Sequence, residues 1–113
     1  MAAQFSETML EAICSRFRAL GEPMRLRILD ALRRKPLTVG ELVDTTGATQ
    51  ANVSKHLAVL HREQFLTRRR EGLHVFYAIK DPAVFDLCEA VCGPLAERAQ
   101  AQARALRSAR RAG

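Results

Sequence analysis

Three cysteines, Cys14, Cys88 and Cys92, are the residues of this sequence with the most distinctive chemistry. Cys88 and Cys92 are four residues apart, a spacing that on a helix brings both side chains to one face with Cβ atoms about 6 Å apart. An unstrained disulfide needs Cβ atoms about 3.5 to 4.5 Å apart. Two thiolates at this spacing, with Cys14 as a third ligand, could instead hold one soft ion. The alternative is that all three are small buried apolar residues, since free cysteine is among the most buried residue types.

A polar segment that begins at Thr49 is the second candidate site. The threonine hydroxyl can cap a helix, and the first amides of that helix can meet a phosphate because the helix dipole favours an anion there. Gln50 and Asn52 can make paired amide contacts to adenine, and Lys55 can reach guanine or a phosphate. The competing interpretation of Thr49 is capping and solvation. We predict that Thr49, Gln50, Asn52 and Lys55 contact nucleic acid.

A run of three arginines, Arg68, Arg69 and Arg70, forms the third candidate site. In a β-strand successive side chains point to opposite faces, so at most two of them can meet the same DNA backbone. We assign that contact to Arg68 and Arg70. The alternative is a solvated edge strand whose charges protect it from aggregation.

The candidate residues show no arrangement typical of catalysis. A nucleophilic enzyme needs its nucleophile activated by a neighbouring base, and Cys14 has no recognisable catalytic spacing to His56, His61 or His74. We therefore expect a binding protein rather than an enzyme.

The length of 113 residues allows one domain and excludes two independent cores. Hydrophobic residues make up 48% and charged residues 27%, which is ordinary for a folded protein. Because so small a core buries a limited fraction of its surface, oligomerisation would stabilise it.

The net charge of +6 is concentrated in two segments. Residues 49–74 carry five basic and two acidic side chains, a local +3, and residues 94–113 carry five arginines and one glutamate, a local +4. Such clustering suits a polyanion, nucleic acid before an anionic membrane. No apolar run approaches the ~20 residues of a membrane span, and no basic stretch precedes an apolar one at the N-terminus. We expect a cytoplasmic chain with reduced thiols and no membrane partner.

Two helices are predicted to open the chain. Ser6 can cap the first and Pro23 can begin the second, with Gly21 between them. Their apolar faces comprise Met9, Leu10, Ile13, Phe17 and Leu20 in the first helix and Leu26, Ile28, Leu29 and Leu32 in the second.

A pair of helices joined by a tight turn follows. Thr38 and Glu41 form a capping box that opens the third helix, and Gly47 can end it in the left-handed conformation. Thr49 opens the fourth helix only two residues later. The inward residues are predicted to be Val39, Leu42 and Val43 in the third helix and Val53, Leu57 and Leu60 in the fourth.

A β-hairpin and a last helix complete the predicted order. Residues 74–79 alternate with a period of two and can pair with residues 66–70 across a turn at residues 71–73. Asp81 and Pro82 open the last helix, in which we expect a kink or a break at Gly93-Pro94 because proline removes a helical hydrogen bond. We therefore divide the chain into a domain at residues 1–93 and an Arg/Ala-rich extension at 94–113, helical or flexible.

This order is that of a winged helix-turn-helix, and the sequence resembles the ArsR/SmtB family of metal- and stress-responsive repressors. The motifs that carry the resemblance are Leu20–Leu29, Val39–Leu42, Asn52–Leu57 and Val75–Ile79, within about residues 9–93. The resemblance implies a mainly α-helical fold with a small β-hairpin wing, dimeric through its first and last helices. It also implies a repressor that binds double-stranded operator DNA until an inducer weakens the complex. Ser54 and His56 resemble the family's DNA-facing positions. The alternatives are capping and solvation for Ser54 and a packing role for His56.

The resemblance also limits the kinds of inducer that this chain is expected to bind. Family members often sense metals with a cysteine pair on the third helix, but Glu41–Asp44 contains no thiol, and the histidines of another family site are missing from Val84–Leu95. Thiolate-only sites in the family imply trivalent arsenic or antimony, or another thiophilic ion, here with Cys14, Cys88 and Cys92 as ligands. No cofactor is expected for DNA binding itself. The alternatives are a dithiol redox or persulfide switch, and a DNA-binding protein without an effector whose cysteines pack the dimer interface.

Overall fold

The computed structural model describes residues 4–112 of the chain. The helices are α1 Glu7–Leu20, α2 Pro23–Ala31, α3 Val39–Thr46, α4 Gln50–Arg62 and α5 Ala83–Ala112, and the strands are β1 Leu37–Thr38, β2 Leu66–Glu71 and β3 His74–Ile79. Two compact units are present: the first ends at Asp81, and the second begins at Pro82 and contains α5. The predicted mainly helical fold with a small β-hairpin wing is confirmed.

The core of the first unit is formed by side chains from α2, α3 and α4. The fully buried apolar side chains are Ile28, Leu29, Leu42, Val53, Leu57 and Leu60. Burying each of them contributes about 1.5 to 3 kcal/mol relative to exposure in water. The predicted inward position of Leu26 is wrong, because its side chain is 42% exposed. Leu26 is two residues from Ile28, and residues at that separation do not share a helical face.

The first and third helices begin at the caps that the sequence predicts. Ser6 Oγ accepts a hydrogen bond from the Met9 amide at 3.1 Å. Thr38 Oγ1 accepts from the Glu41 amide at 3.2 Å, and the Glu41 carboxylate accepts from the Thr38 amide at 3.0 Å. The predicted capping box is therefore complete.

The sheet contains one strand more than the sequence predicts. The antiparallel strand order is β1-β3-β2, with Leu37 opposite Tyr77 in the unpredicted pair. The two-residue strand β1 is too short to show any alternation. The predicted hairpin is confirmed: Glu71 pairs with His74, and Gly72 turns the chain between them with a φ of 60°. Because β3 lies between the other strands, β2 and its arginines form an edge of the sheet.

The last helix continues through Gly93 and Pro94, so a break at this position is wrong. Proline removes the amide that would bond to the Ala90 carbonyl, which costs one hydrogen bond of the helix. The neighbouring turns are rich in alanine, arginine and glutamine, which favour helix and outweigh that single loss. The domain boundary expected after Gly93 therefore lies inside a continuous helix. Over residues 4–112 no helix is long and apolar enough to cross a membrane.

Gly47 and Gly40 offer a matched pair of stability variants. Gly47 ends α3 with a φ of 74°, a conformation that costs an L-amino acid about 1 kcal/mol. Gly40 lies inside α3, and a Cβ there would meet only the Thr38 hydroxyl oxygen at 3.9 Å. We expect Gly47→Ala to lower the free energy of unfolding by about 1 kcal/mol and Gly40→Ala to raise it by about 0.5 to 1 kcal/mol. Urea unfolding of both variants measures this, and a shift of the same sign in both would contradict it.

Candidate nucleic-acid interface

The orientation of α4 is set at its start and by its buried side. Gly47 ends α3, and Thr49 caps α4 two residues later, its Oγ1 accepting a hydrogen bond from the Asn52 amide at 3.2 Å. On one side of the helix Val53, Leu57 and Leu60 are fully buried, as predicted. The opposite side of α4 must therefore face solvent.

The polar residues predicted to contact nucleic acid occupy that outward side. Thr49, Gln50, Asn52, Ser54 and Lys55 are all exposed. Apart from the cap that Thr49 provides, their side chains form no hydrogen bond or ion pair within residues 4–112. They are thus available to an external ligand.

Three further residues lie on the outward side of α4, as the sequence predicts, although no DNA contact is predicted for them. Ala51, Ala58 and Arg62 are exposed among the polar residues just described. An alanine at such a position permits close approach to a base edge and can contact the methyl group of thymine. Ala51 and Ala58 lie four residues before and three after Lys55, and Arg62 lies four after Ala58, so all three share its side of the helix.

The prediction that His56 faces DNA is wrong. Its side chain is only 6% exposed and packs on the inner side of α4. His56 lies three residues after Val53 and four before Leu60, so it shares their buried face. This burial agrees with the alternative interpretation of His56 as a packing residue.

A polar cluster holds His56 in this position, and sequence reasoning missed its central residue, Arg25. The guanidinium of Arg25 donates from Nε to the Ala19 carbonyl at 2.6 Å and from Nη2 to the Arg18 carbonyl at 3.2 Å. Its Nη1 lies 3.2 Å from His56 Nδ1. Because arginine has only donors, Nδ1 must be the acceptor, and neutral His56 carries its proton on Nε2. One side chain of α2 therefore connects the end of α1 to the middle of α4.

Glu22 is the acidic member of the cluster. Its carboxylate caps α2 by accepting from the Arg25 amide at 3.0 Å and lies 3.8 Å from His56 Nε2. The hydrogen bond from that backbone amide lowers the pKa of Glu22, and the positive charges of His56 and Arg25 act in the same direction. Glu22 is therefore ionised at neutral pH.

Burial lowers the pKa of His56 below its ordinary value, and the charges of Arg25 and Lys55 act in the same direction. Glu22 opposes them without reversing the shift. The unfolded chain thus binds this proton more tightly than the folded chain does. The stabilising effect of neutral His56 is complete above about pH 6.5 and declines as the pH falls below that value.

We expect His56→Asn, which keeps a hydrogen-bond acceptor near Arg25, to flatten the decline in melting temperature between pH 7.5 and pH 5.5. The reason is that asparagine removes the proton-binding group whose pKa differs between the folded and unfolded states. Thermal unfolding at several pH values measures the effect. The control is His61→Asn, because His61 is exposed on the same helix. A decline as steep in His56→Asn as in the wild type would contradict the role of His56.

The arginines of β2 separate onto two faces, as the strand alternation predicts. Arg69 lies on the face of Phe76, with its guanidinium carbon 5.6 Å from the ring centroid, and forms an ion pair with Glu71 at 3.2 Å. Arg68 and Arg70 are exposed on the other face and form no ion pair within residues 4–112. The pair assigned to the DNA backbone is therefore the pair that carries uncompensated charge. Leu73, at the tip of the hairpin between β2 and β3, is 95% exposed.

The three cysteines are free thiols. Cys14 is exposed on α1 in the first unit, whereas Cys88 is half-buried and Cys92 exposed one turn apart on α5 in the second unit. Within the part of the chain that the structure describes, no three His, Cys, Asp or Glu side chains are grouped so as to hold a metal ion. Cys88 and Cys92 are therefore the two cysteines that share one helix.

The chain is similar to known bacterial regulatory proteins. The bacterial regulatory protein arsR family matches residues 22–67, from the cap of α2 into β2. A probable mercury resistance operon repressor from Streptomyces lividans is 39% identical over 71 residues, 63% of this chain. The match covers 57% of that repressor, less than two thirds of its length.

Two solved structures share the fold. The crystal structure of Rv0081 from Mycobacterium tuberculosis has a TM-score of 0.74 and 31% identity, over 86% of this chain and 98% of that one. Mb0332 from Mycobacterium bovis, a homodimeric winged helix-turn-helix DNA-binding domain, has a TM-score of 0.74 and 27% identity. The match covers 87% of this chain and 95% of Mb0332. These relatives are regulators or DNA-binding domains, in agreement with the expectation of a non-enzymatic protein. With the family match and the fold shared with Rv0081, this chain belongs to the ArsR family of bacterial regulatory proteins.

Proposed function

We propose that the protein is a homodimeric transcriptional repressor that binds operator DNA and is released from it by a thiophilic inducer. The observation that carries the DNA-binding part is the outward side of α4, on which Gln50, Asn52, Ser54 and Lys55 are exposed and free of partners in residues 4–112. The side chains opposite them are fully buried, so the helix can dock without rearranging the core.

Each exposed group of α4 has a matching partner on duplex DNA. The capped start of the helix directs backbone amides towards a phosphate, while Gln50 and Asn52 can pair with the edge of adenine in the major groove. Lys55 reaches guanine or a phosphate. Arg68 and Arg70 on β2 add phosphate contacts, which position the protein without reading sequence.

Dimerisation is proposed through α1 and α5, each of which presents apolar side chains to solvent in the single chain. On α1, Met9 is 50% and Phe17 55% exposed, and on α5 Val91 is 62% and Leu95 58% exposed. Surfaces of this kind are typical of interaction sites. The homodimeric state of Mb0332 supports the same arrangement here. Half-site centres about 34 to 36 Å apart, one helical turn of DNA, are then expected.

The experiment that tests this part selects duplexes from a random-sequence library with the wild-type protein. A pseudo-palindromic consensus bound in preference to scrambled duplex, by a dimer in sedimentation analysis, is the expected result. A monomer at micromolar concentration, or the absence of any sequence preference, would overturn it.

The inducer is proposed to bind Cys88 and Cys92, with Cys14 of the same or the partner chain assisting. Thiolates prefer soft ions, and two of them one helical turn apart can converge on one ion. The relative from Streptomyces, a probable mercury resistance repressor, supports a thiophilic inducer of this general class. Trivalent arsenic or antimony is the inducer that we propose.

Titration of the reduced protein–DNA complex tests the inducer. Arsenite, antimonite, mercuric ion, cadmium, zinc and a persulfide donor are added separately while DNA release is followed by fluorescence anisotropy. Release by arsenite or antimonite supports the proposal. Release by the persulfide donor alone would identify a dithiol redox switch, and release by none of them would leave a DNA-binding protein without an effector.

A further inference from the structure

The second half of α5 carries charge that the proposed contacts of α4 and β2 do not use. Four arginines, Arg104, Arg107, Arg110 and Arg111, are exposed along the last turns of the helix. At 3.6 residues per turn they fall within an arc of about 120°. We call these four residues the arginine face.

The arginine face has no acidic counterpart. The nearest carboxylate before it is Glu97, seven residues before Arg104, and no acidic residue follows. Within residues 4–112 none of the four arginines forms an ion pair. Because like charges at i,i+3 and i,i+4 destabilise a helix, an external anion that neutralises them would be favoured.

Stabilisation of the end of α5 explains the presence of only two of the four arginines. Arg110 and Arg111 lie in the last turn, where a positive charge interacts favourably with the helix dipole. That effect is confined to the last turn, so it gives no reason for Arg104 and Arg107. An additional partner explains all four residues together.

The chemistry of the segment favours nucleic acid over a membrane surface. All basic residues after Pro94 are arginines, whose planar guanidinium binds phosphate in a bidentate manner. A helix that lies on a membrane needs bulky apolar residues on its other side. Between residues 96 and 113 the apolar side chains are Leu106 and several alanines, and none is aromatic.

We propose that the arginine face is a second, sequence-independent DNA-binding surface. This inference rests on the proposed function in that both surfaces take duplex DNA as their partner. Because phosphate contacts carry no sequence information, the arginine face raises the affinity for any duplex and leaves the preference for the operator unchanged.

The test compares three variants on a scrambled 40-base-pair duplex over a series of salt concentrations. In the first variant the four arginines are changed to glutamine. The slope of log affinity against log salt is expected to fall by about 2 to 7, since each phosphate contact contributes about 0.9 and a dimer carries two arginine faces. The affinity at 100 mM salt is expected to fall at least tenfold.

Two matched variants show whether position and charge are responsible. The control removes four exposed positive charges from the first unit, as Arg27→Gln, Arg33→Gln, Arg34→Gln and Lys35→Gln. We expect it to change the slope by less than 1. The second variant changes the arginine face to lysine and is expected to keep a slope within about 1 of the wild type. Circular dichroism and sedimentation verify that all variants keep helix content and assembly.

Three results would overturn the inference. The first is an unchanged slope in the glutamine variant, and the second is an equal loss in the control or in the lysine variant. The third is a glutamine variant that no longer binds phosphatidylglycerol vesicles but binds duplex DNA like the wild type, which would identify the arginine face as a membrane-binding surface. Failure of the proposed function gives a different result, because the wild type would then show no preference for any selected sequence. The salt slopes of the variants would still decide the role of the arginine face.

Discussion

Replacing Asn52 with alanine is expected to weaken binding to the selected operator about 5- to 150-fold, which corresponds to about 1 to 3 kcal/mol. The exposed carboxamide of Asn52 can donate to and accept from adenine in one bidentate contact. Only the backbone amide of Asn52 takes part in the cap of α4, so the substitution leaves the helix start intact. Alanine also favours helix more than asparagine does. The loss should therefore come from the DNA contact and not from unfolding.

Arg70→Ala is the comparison that separates reading of sequence from attraction to phosphate. Arg70 is exposed on β2 and proposed to contact the DNA backbone. Its removal should weaken binding to operator and scrambled duplex alike and lower the salt slope by about 1. Anisotropy titrations with both duplexes distinguish the two patterns. If both variants bind like the wild type, the DNA face is not formed by α4 and β2.

Cys88→Ser and Cys92→Ser are each expected to abolish release by arsenite while leaving DNA binding intact. Serine keeps nearly the size of cysteine but removes the soft thiolate that the ion requires. Cys14→Ser is expected to have the milder effect of a third ligand. The measurement is release of labelled operator from each variant as arsenite is added.

Thermodynamic linkage gives a second measurement on the same variants. If arsenite weakens DNA binding by a certain factor, DNA must weaken arsenite binding by the same factor, typically about 5- to 150-fold. The matched control is again found in the chain: Ser108→Ala removes an exposed hydroxyl that forms no hydrogen bond within residues 4–112, and it should leave release unchanged. Release of DNA from the triple serine variant by arsenite would contradict the assignment.

Much of the fold follows from local signals. The caps at Ser6, Thr38 and Thr49 and the left-handed glycine at Gly47 act over a few residues, so the sequence alone places them. The hairpin follows from strand alternation and a turn at Gly72. These elements need no knowledge of distant contacts, which is why the order of a winged helix-turn-helix can be recognised.

The errors concern residues whose role depends on other parts of the chain. His56 has a polar side chain, and only its hydrogen bond to Arg25, 31 residues away in the sequence, makes its burial favourable. Strand β1 exists because β3 offers it an edge, not because Leu37 and Thr38 form a pattern. At Pro94 the local rule overstates the effect of proline, since one missing hydrogen bond does not end this 30-residue helix.

The exposed polar residues of α4 can be predicted from the sequence because exposure on a helix follows from its buried side. The exposure of Thr49, Gln50, Asn52, Ser54 and Lys55 agrees with the predicted interface. Their contact with DNA, like ion binding by the cysteines, stays a prediction. Both depend on partners outside the chain, and local sequence rules describe no such partner.

The three bonds of Arg25 leave α1 and α4 almost no freedom to move independently. Two of them hold the carbonyls of Arg18 and Ala19 at the end of α1, and the third holds His56. Ordinary N–H···O distances span a range of about half an ångström, so a larger shift of α1 must either break one of these bonds or carry α4 with it. The two helices therefore move together, which couples the exposed apolar side chains of α1 to the exposed polar side chains of α4.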